Sequence, residues 1–275
     1  MESLSSFPDG IKVLHECRDA TIDICFVHGL TGDRMSTWTA HGQSDPWPKT
    51  LLPKKLGKAR IYTYGYDAYL LRKSVASSNL LIDHATNLLS DVTTERVFEG
   101  GTSRPLIFVT HSLGGIFVKK TLLLSRNHPE PHLRDIFNST TGIIFMGTPH
   151  TGTEWMAKWA KISASTFGLV KSVNTSLLSL LQTDDQFLES IQIDFLSMVR
   201  EIREYGRPFE VTCFFEELPF PVVGLVVPKK SATFEGYQAI SIQANHSNMV
   251  KFVSEEENGY KRVLEELMRW EPWVR

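Results

Sequence analysis

Thr110-His111-Ser112-Leu113-Gly114 is the stretch best equipped to do chemistry. The apolar run Leu106-Ile107-Phe108-Val109 precedes it and Gly115-Ile116-Phe117-Val118 follows, so a buried strand enters a serine-centred turn and leaves as a helix. A serine on such a turn stands clear of its own backbone and can act as a nucleophile once a base takes its proton. Small residues two places to either side let strand and helix approach closely. Gly114 meets that need after the serine, whereas Thr110 stands where a glycine is usual.

A nucleophilic serine needs a base, an acid to orient the base, and donors for the oxyanion. In this strand-turn-helix arrangement the chain order is serine, acid, histidine, and that order filters nine histidines. His15, His28, His41, His84 and His111 precede or adjoin Ser112. His128 and His132 belong to a proline-punctuated segment read as a solvated loop, and lack the further ligands that would make them a metal pair. His150 arrives before any acid-bearing strand end. His246 remains, between the last expected strand, Ala239 to Ala244, and a C-terminal helix. The acid belongs at the end of Val211-Thr212-Cys213-Phe214-Phe215, where Glu216 and Glu217 both stand and Glu216 is nearer the strand. Its carboxylate would fix the histidine tautomer and stabilise the imidazolium. For the oxyanion, Ile24-Cys25-Phe26-Val27 runs into His28-Gly29-Leu30-Thr31-Gly32, a glycine-rich loop. The amides of Leu30 and Leu113 are the candidate donors. His28, Gly29, Thr31, His111, Met146, Trp155 and Trp159 are candidate pocket residues, with His28 a loop-positioning residue rather than a base.

These residues need a rigid frame. Ile24 to Val27, Arg60 to Tyr64, Leu106 to Thr110, Gly142 to Met146, Val211 to Phe215, Val222 to Val227 and Ile240 to Gln243 read as strands. Four of these, from Ile24, Leu106, Ile143 and Val211 onwards, are continuous rather than alternating, as expected of strands buried on both faces of a mostly parallel sheet. Ser78 to Asp91, Gly115 to Ser125 and Tyr260 to Trp270 have helical spacing. Strand and helix therefore alternate, which predicts one α/β domain over residues 1–275 with helices on both sheet faces. Residues 152–206 break the rhythm with a long, mostly helical stretch and are read as a cap inserted after a strand end, roofing the pocket.

Composition narrows the classes further. With 29 Lys and Arg against 31 Asp and Glu, scattered along the chain, there is no basic field for nucleic acid. Cys17, Cys25 and Cys213 are odd in number and widely spaced, and read as buried reduced thiols. Residues 1–20 carry Glu2, Asp9, Glu16 and Asp19 and no long apolar run, so neither a signal peptide nor a membrane anchor is read there and an intracellular chain is expected.

The combination of His28-Gly29-Leu30-Thr31-Gly32, His111-Ser112-Leu113-Gly114-Gly115 with Val118-Lys119-Lys120, Gly147-Thr148-Pro149-His150, Phe215-Glu216 and Asn245-His246 resembles the lipase-like serine esterases. That group includes serine-active-site-containing esterases, GPI inositol deacylases and the hydrolase domains of fungal nucleotide-binding receptors. The resemblance spans nearly the whole chain. It implies an α/β-hydrolase fold, Ser112 as nucleophile, His246 as base and Glu216 as acid. It also implies a small-molecule or lipid ester as substrate, with no metal or organic cofactor. Two other functions use the same residues differently: an acyltransferase or ring-closing enzyme, in which a bound acceptor replaces water, and a signalling or binding module that keeps the fold without turnover.

Overall fold

In the computed structural model, residues 9–29, 32–66, 78–152, 158, 185–207 and 209–270 are described. The strands are β1 (Gly10–His15), β2 (Ile22–Val27), β3 (Ala59–Gly65), β4 (Leu106–His111), β5 (Thr140–Met146), β6 (Glu210–Glu216) and β7 (Gln238–Ile242). The helices are α1 (Trp47–Thr50), α2 (Ser78–Phe98), α3 (Gly114–Arg126), α4 (Pro131–Ser139), α5 (Asp185–Glu204), α6 (Lys229–Ala232) and α7 (Asn258–Trp270). One seven-stranded sheet runs in the order β1-β3-β2-β4-β5-β6-β7. β1 is antiparallel to β3 and every other pairing is parallel.

The apolar runs are buried on both sides because each strand feeds two cores. Cys25, Val27, Phe108, Ile143, Phe145 and Cys213 face one cluster, under α2, α3 and α5. Ile24, Phe26, Ile107, Val109, Ile144 and Phe214 face the other, with Trp38, Trp47 and α7. Adjacent residues on one strand thus serve opposite layers, the period of two that a pleated strand imposes. The edge strand β1, with its exposed Lys12, lacks such a run and was not among the expected strands.

Three expectations need correction. Val222 to Val227 is not a strand. Phe220 and Gly224 exchange backbone hydrogen bonds (2.9 and 3.0 Å) around a tight turn with Val222 exposed at its tip. Pro219, Pro221 and Pro228 withhold the donors a sheet strand would need, while Val226 and Val227 tuck into the core. His132 is not in a loop. Pro131 opens α4 at its first turn, where a missing amide hydrogen costs nothing. Cys17 is only partly buried, bonded to Asp19, although Cys25 and Cys213 are fully buried and all three are free thiols.

Of the expected cap, residues 153–157 and 159–184, with Trp155 and Trp159, lie outside the described residues. Its last part is α5, which packs Ile191, Phe195, Met198 and Val199 into the core beside α3. No described helix is long and apolar enough to cross a membrane.

Candidate active site

All the parallel strands end on one edge of the sheet, and that edge collects the candidate residues. β4 ends at His111, and Ser112 then adopts φ 53°, the left-handed region that an L-residue enters only at a cost. Leu113 returns to the right-handed helical region as the N-cap of α3. The turn is braced from both neighbours. The Ser112 amide donates to the Met146 carbonyl (2.9 Å) at the end of β5, and Gly115 donates back to the Ser112 carbonyl (3.1 Å). On the other side the β2 exit lies against the turn: a Cβ on Gly29 would come within 2.8 Å of Ser112 Cβ. Ser112 is fully buried.

Thr110 fits because its side chain turns toward the neighbouring strand. Its Oγ1 donates to the Ile144 carbonyl (3.1 Å) and it is wholly buried in β4. Thr110→Gly, although it restores the usual small residue, should therefore destabilise the protein by about 1 to 2 kcal/mol through the lost bond and weaker strand preference. Chemical denaturation of the two proteins checks this, and equal midpoints would contradict it.

His28 is locked as a positioning residue. Its Nδ1–H donates to the Gly29 carbonyl (2.7 Å), its Nε2 accepts the Tyr66 amide (3.3 Å), and Tyr66 Oη donates to the His28 carbonyl (2.9 Å). The two rings stack at 4.2 Å. Tyr66, one residue past β3, escaped the sequence reading; an aromatic placed just after the Gly65 strand end was the available signal. Burial holds the His28 ring down to about 4, against the opposing bond to the Gly29 carbonyl. Between pH 6.5 and 4 the unfolded chain therefore takes up a proton that the folded one refuses, so stability is lost as pH falls through that window. The shift corresponds to about 3 kcal/mol, and burial pushes His111 the same way. Melting temperature should drop steeply from pH 7 to 4.5, and a flat profile would exclude this account.

β6 delivers Glu216 to the same edge. Its side chain is buried, and Oε1 accepts the Val227 amide (2.6 Å) and lies 3.7 Å from His246 Nδ1. Glu217 is exposed, and its amide bonds the Ile242 carbonyl (3.0 Å) to tie the loop to β7. His246 follows β7 and is fully buried. Its ring packs on Gly147, whose φ of 60° and absent side chain leave the room: a Cβ there would stand 2.8 Å from His246 Cε1. His111, expected to line a pocket, links the two halves of the site. Its ring lies 4.9 Å from that of His246, and its Nε2–H donates to the His246 carbonyl (3.0 Å). Met146 is buried in the α7-side core beside Met249 and Phe214. Leu30 and Thr31 lie outside the described residues.

The structure thus brings together Ser112, His111, His246, Glu216, His28 and Gly29, with Leu113 on the turn itself. Gly147 and Tyr66 join them as supports.

No family model matches the chain. Among curated proteins it is similar to Protein SERAC1 of Mus musculus (30% identity) and of Homo sapiens (29%), each over 94% of this chain and 41% of the relative. The chain therefore spans about two fifths of the length of the curated relatives it matches. Among solved structures it is similar to the lipase BlEst2 of Bacillus licheniformis, with TM-score 0.55 and 16% identity over 96% of this chain and 95% of that one. It is also similar to a lipase-esterase related protein from Clostridium acetobutylicum, with TM-score 0.50 and 12% identity over 94% and 98%. Together with the mostly parallel seven-stranded sheet and the serine turn after β4, these likenesses establish that the chain has the α/β-hydrolase fold.

Proposed function

We propose that the protein is a serine hydrolase that cleaves a carboxylic ester of a small molecule or lipid through an acyl-enzyme. The observation that carries this reading is Ser112 itself: a fully buried serine held at φ 53° between β4 and α3. Backbone strain of this kind costs of order 1 to 3 kcal/mol and persists where the surroundings over-determine it, commonly at functional sites. The nearby Glu216 and His246 supply the matching chemistry.

In this mechanism Ser112 Oγ attacks the ester carbonyl carbon while His246 Nε2 accepts its proton. Glu216 faces Nδ1, keeps the proton of the neutral ring on that nitrogen, and stabilises the imidazolium as it forms. The tetrahedral oxyanion is received by the Leu113 amide, at the positive end of α3, together with the Leu30 amide from the β2 loop. Collapse of the intermediate expels the alcohol, which takes the proton from His246. Water activated by His246 then releases the acid and regenerates Ser112.

Intact mass after treatment with a fluorophosphonate probe tests the reading. Wild type should gain a single adduct that Ser112→Ala lacks. Folded wild type that remains unmodified would overturn the hydrolase reading in favour of a binding module on the same fold.

A further inference from the structure

A second polar cluster lies beneath the site, on α3. Lys119 is only 2% exposed, and its Nζ lies 2.6 Å from His150 Nδ1 and donates to Gln192 Oε1 of α5. The amine sits over the rings of Phe145, Phe195 and Phe234 at 5.0 to 5.6 Å. His150 accepts at Nδ1, so its proton is on Nε2, which faces Cys213 Sγ of β6 at 3.6 Å. No carboxylate pairs with Lys119 among the described residues; Cys213 and His150 are the titratable groups that act on this cluster. Burial brings the amine down to about 7.

A buried amine without a counter-ion does not stabilise a core, and an apolar residue of similar size usually serves at least as well. Its placement gives it another use. Gly115 and Lys119 are four residues apart on one face of α3, and both meet the turn formed by residues 147–150. A Cβ on Gly115 would fall 2.2 Å from Thr148 Oγ1, and Lys119 holds His150 at the far end of the same turn. The near end, Gly147, is the surface on which the His246 ring packs. α3 begins just after Ser112, so one helix fixes the serine at its start and, through this turn, the seat of the histidine.

The geometry points to Lys119 as a positioning residue that sets the His246 ring relative to Ser112 by clamping the 147–150 turn to α3. For catalysis this rests on the hydrolase reading; for the placement of His246 it does not.

The test uses Lys119→Met/His150→Leu/Gln192→Leu in the full chain, which removes the polar partners together and leaves an apolar core. Lys119→Met alone is the milder variant. The expected result is a melting temperature close to wild type, displaced His246 ring resonances in histidine-labelled NMR spectra, and a maximal fluorophosphonate labelling rate about 10- to 100-fold lower at unchanged half-saturation, the size of loss that slight misplacement causes. Where the triple variant does not fold, the single variant decides on the same readings. A folded variant with wild-type His246 resonances overturns the proposal. If wild type itself takes no label, the hydrolase reading falls and the His246 resonances alone decide the positioning.

Discussion

Replacing Ser112 by glycine and by alanine is expected to abolish ester turnover equally, by about a millionfold, while leaving the glycine variant more stable by about 1 kcal/mol. Under the proposed mechanism both variants lack the nucleophile, so both fall to whatever the rest of the site provides. They differ in backbone. At φ 53° alanine keeps the clash between Cβ and the following carbonyl, and glycine has no Cβ to clash. Part of that gain is returned, because glycine loses more freedom on folding. For a chain of this size the net difference is roughly 2 to 4 °C in melting temperature. Calorimetry on the two variants measures the strain held at the turn, and an assay with a soluble ester measures the common loss. Equal stabilities would mean that the turn is relaxed and that the observation carrying the functional reading has lost its force. Residual turnover in both variants near the wild-type rate would assign the chemistry to another residue.

What could be read from sequence followed from how locally each feature is encoded. The apolar runs of β2, β4, β5 and β6 are legible because burial on both faces makes them mostly apolar without a polar residue at every second position. The serine turn is legible because its strand, its glycine and its helix are contiguous. β1 was not, since an edge strand with mixed exposure carries neither a continuous nor a clean alternating pattern. The run from Val222 to Val227 misled because two of its valines are buried without any sheet pairing, and only the prolines around it signal the turn. Of the two glutamates at the end of β6, the structure directs Glu216 inward to His246 and leaves Glu217 exposed, a difference set by strand pleat that two adjacent identical letters do not show. Tyr66, Gly147 and Lys119 act through contacts with residues distant in the chain. Their partners are brought near only by the parallel order of the sheet, which local pattern does not specify.

Gly114→Ala should be severely damaging for a single added methyl group. A Cβ at residue 114 would lie 2.4 Å from the His28 carbonyl oxygen and 2.6 Å from that of Val27. Both obstacles are backbone, and both belong to the exit of β2, which is hydrogen-bonded on its two sides to β3 and β4. No side-chain rotation can relieve the contact, so either the first turn of α3 or the end of β2 must move. Overpacking of this kind costs typically 1 to 3 kcal/mol, occasionally more, and the rigidity on both sides puts this site at about 3. The melting temperature should accordingly fall by roughly 5 to 10 °C. Moving β2 away also draws His28 and Gly29 off Ser112, so under the proposed mechanism turnover should fall by about 100-fold even in the fraction that remains folded. Gly57→Ala is the control, because a Cβ there meets nothing within 4 Å and the backbone is not left-handed. If Gly114→Ala melts and turns over like Gly57→Ala, the β2 exit is not packed against the serine turn.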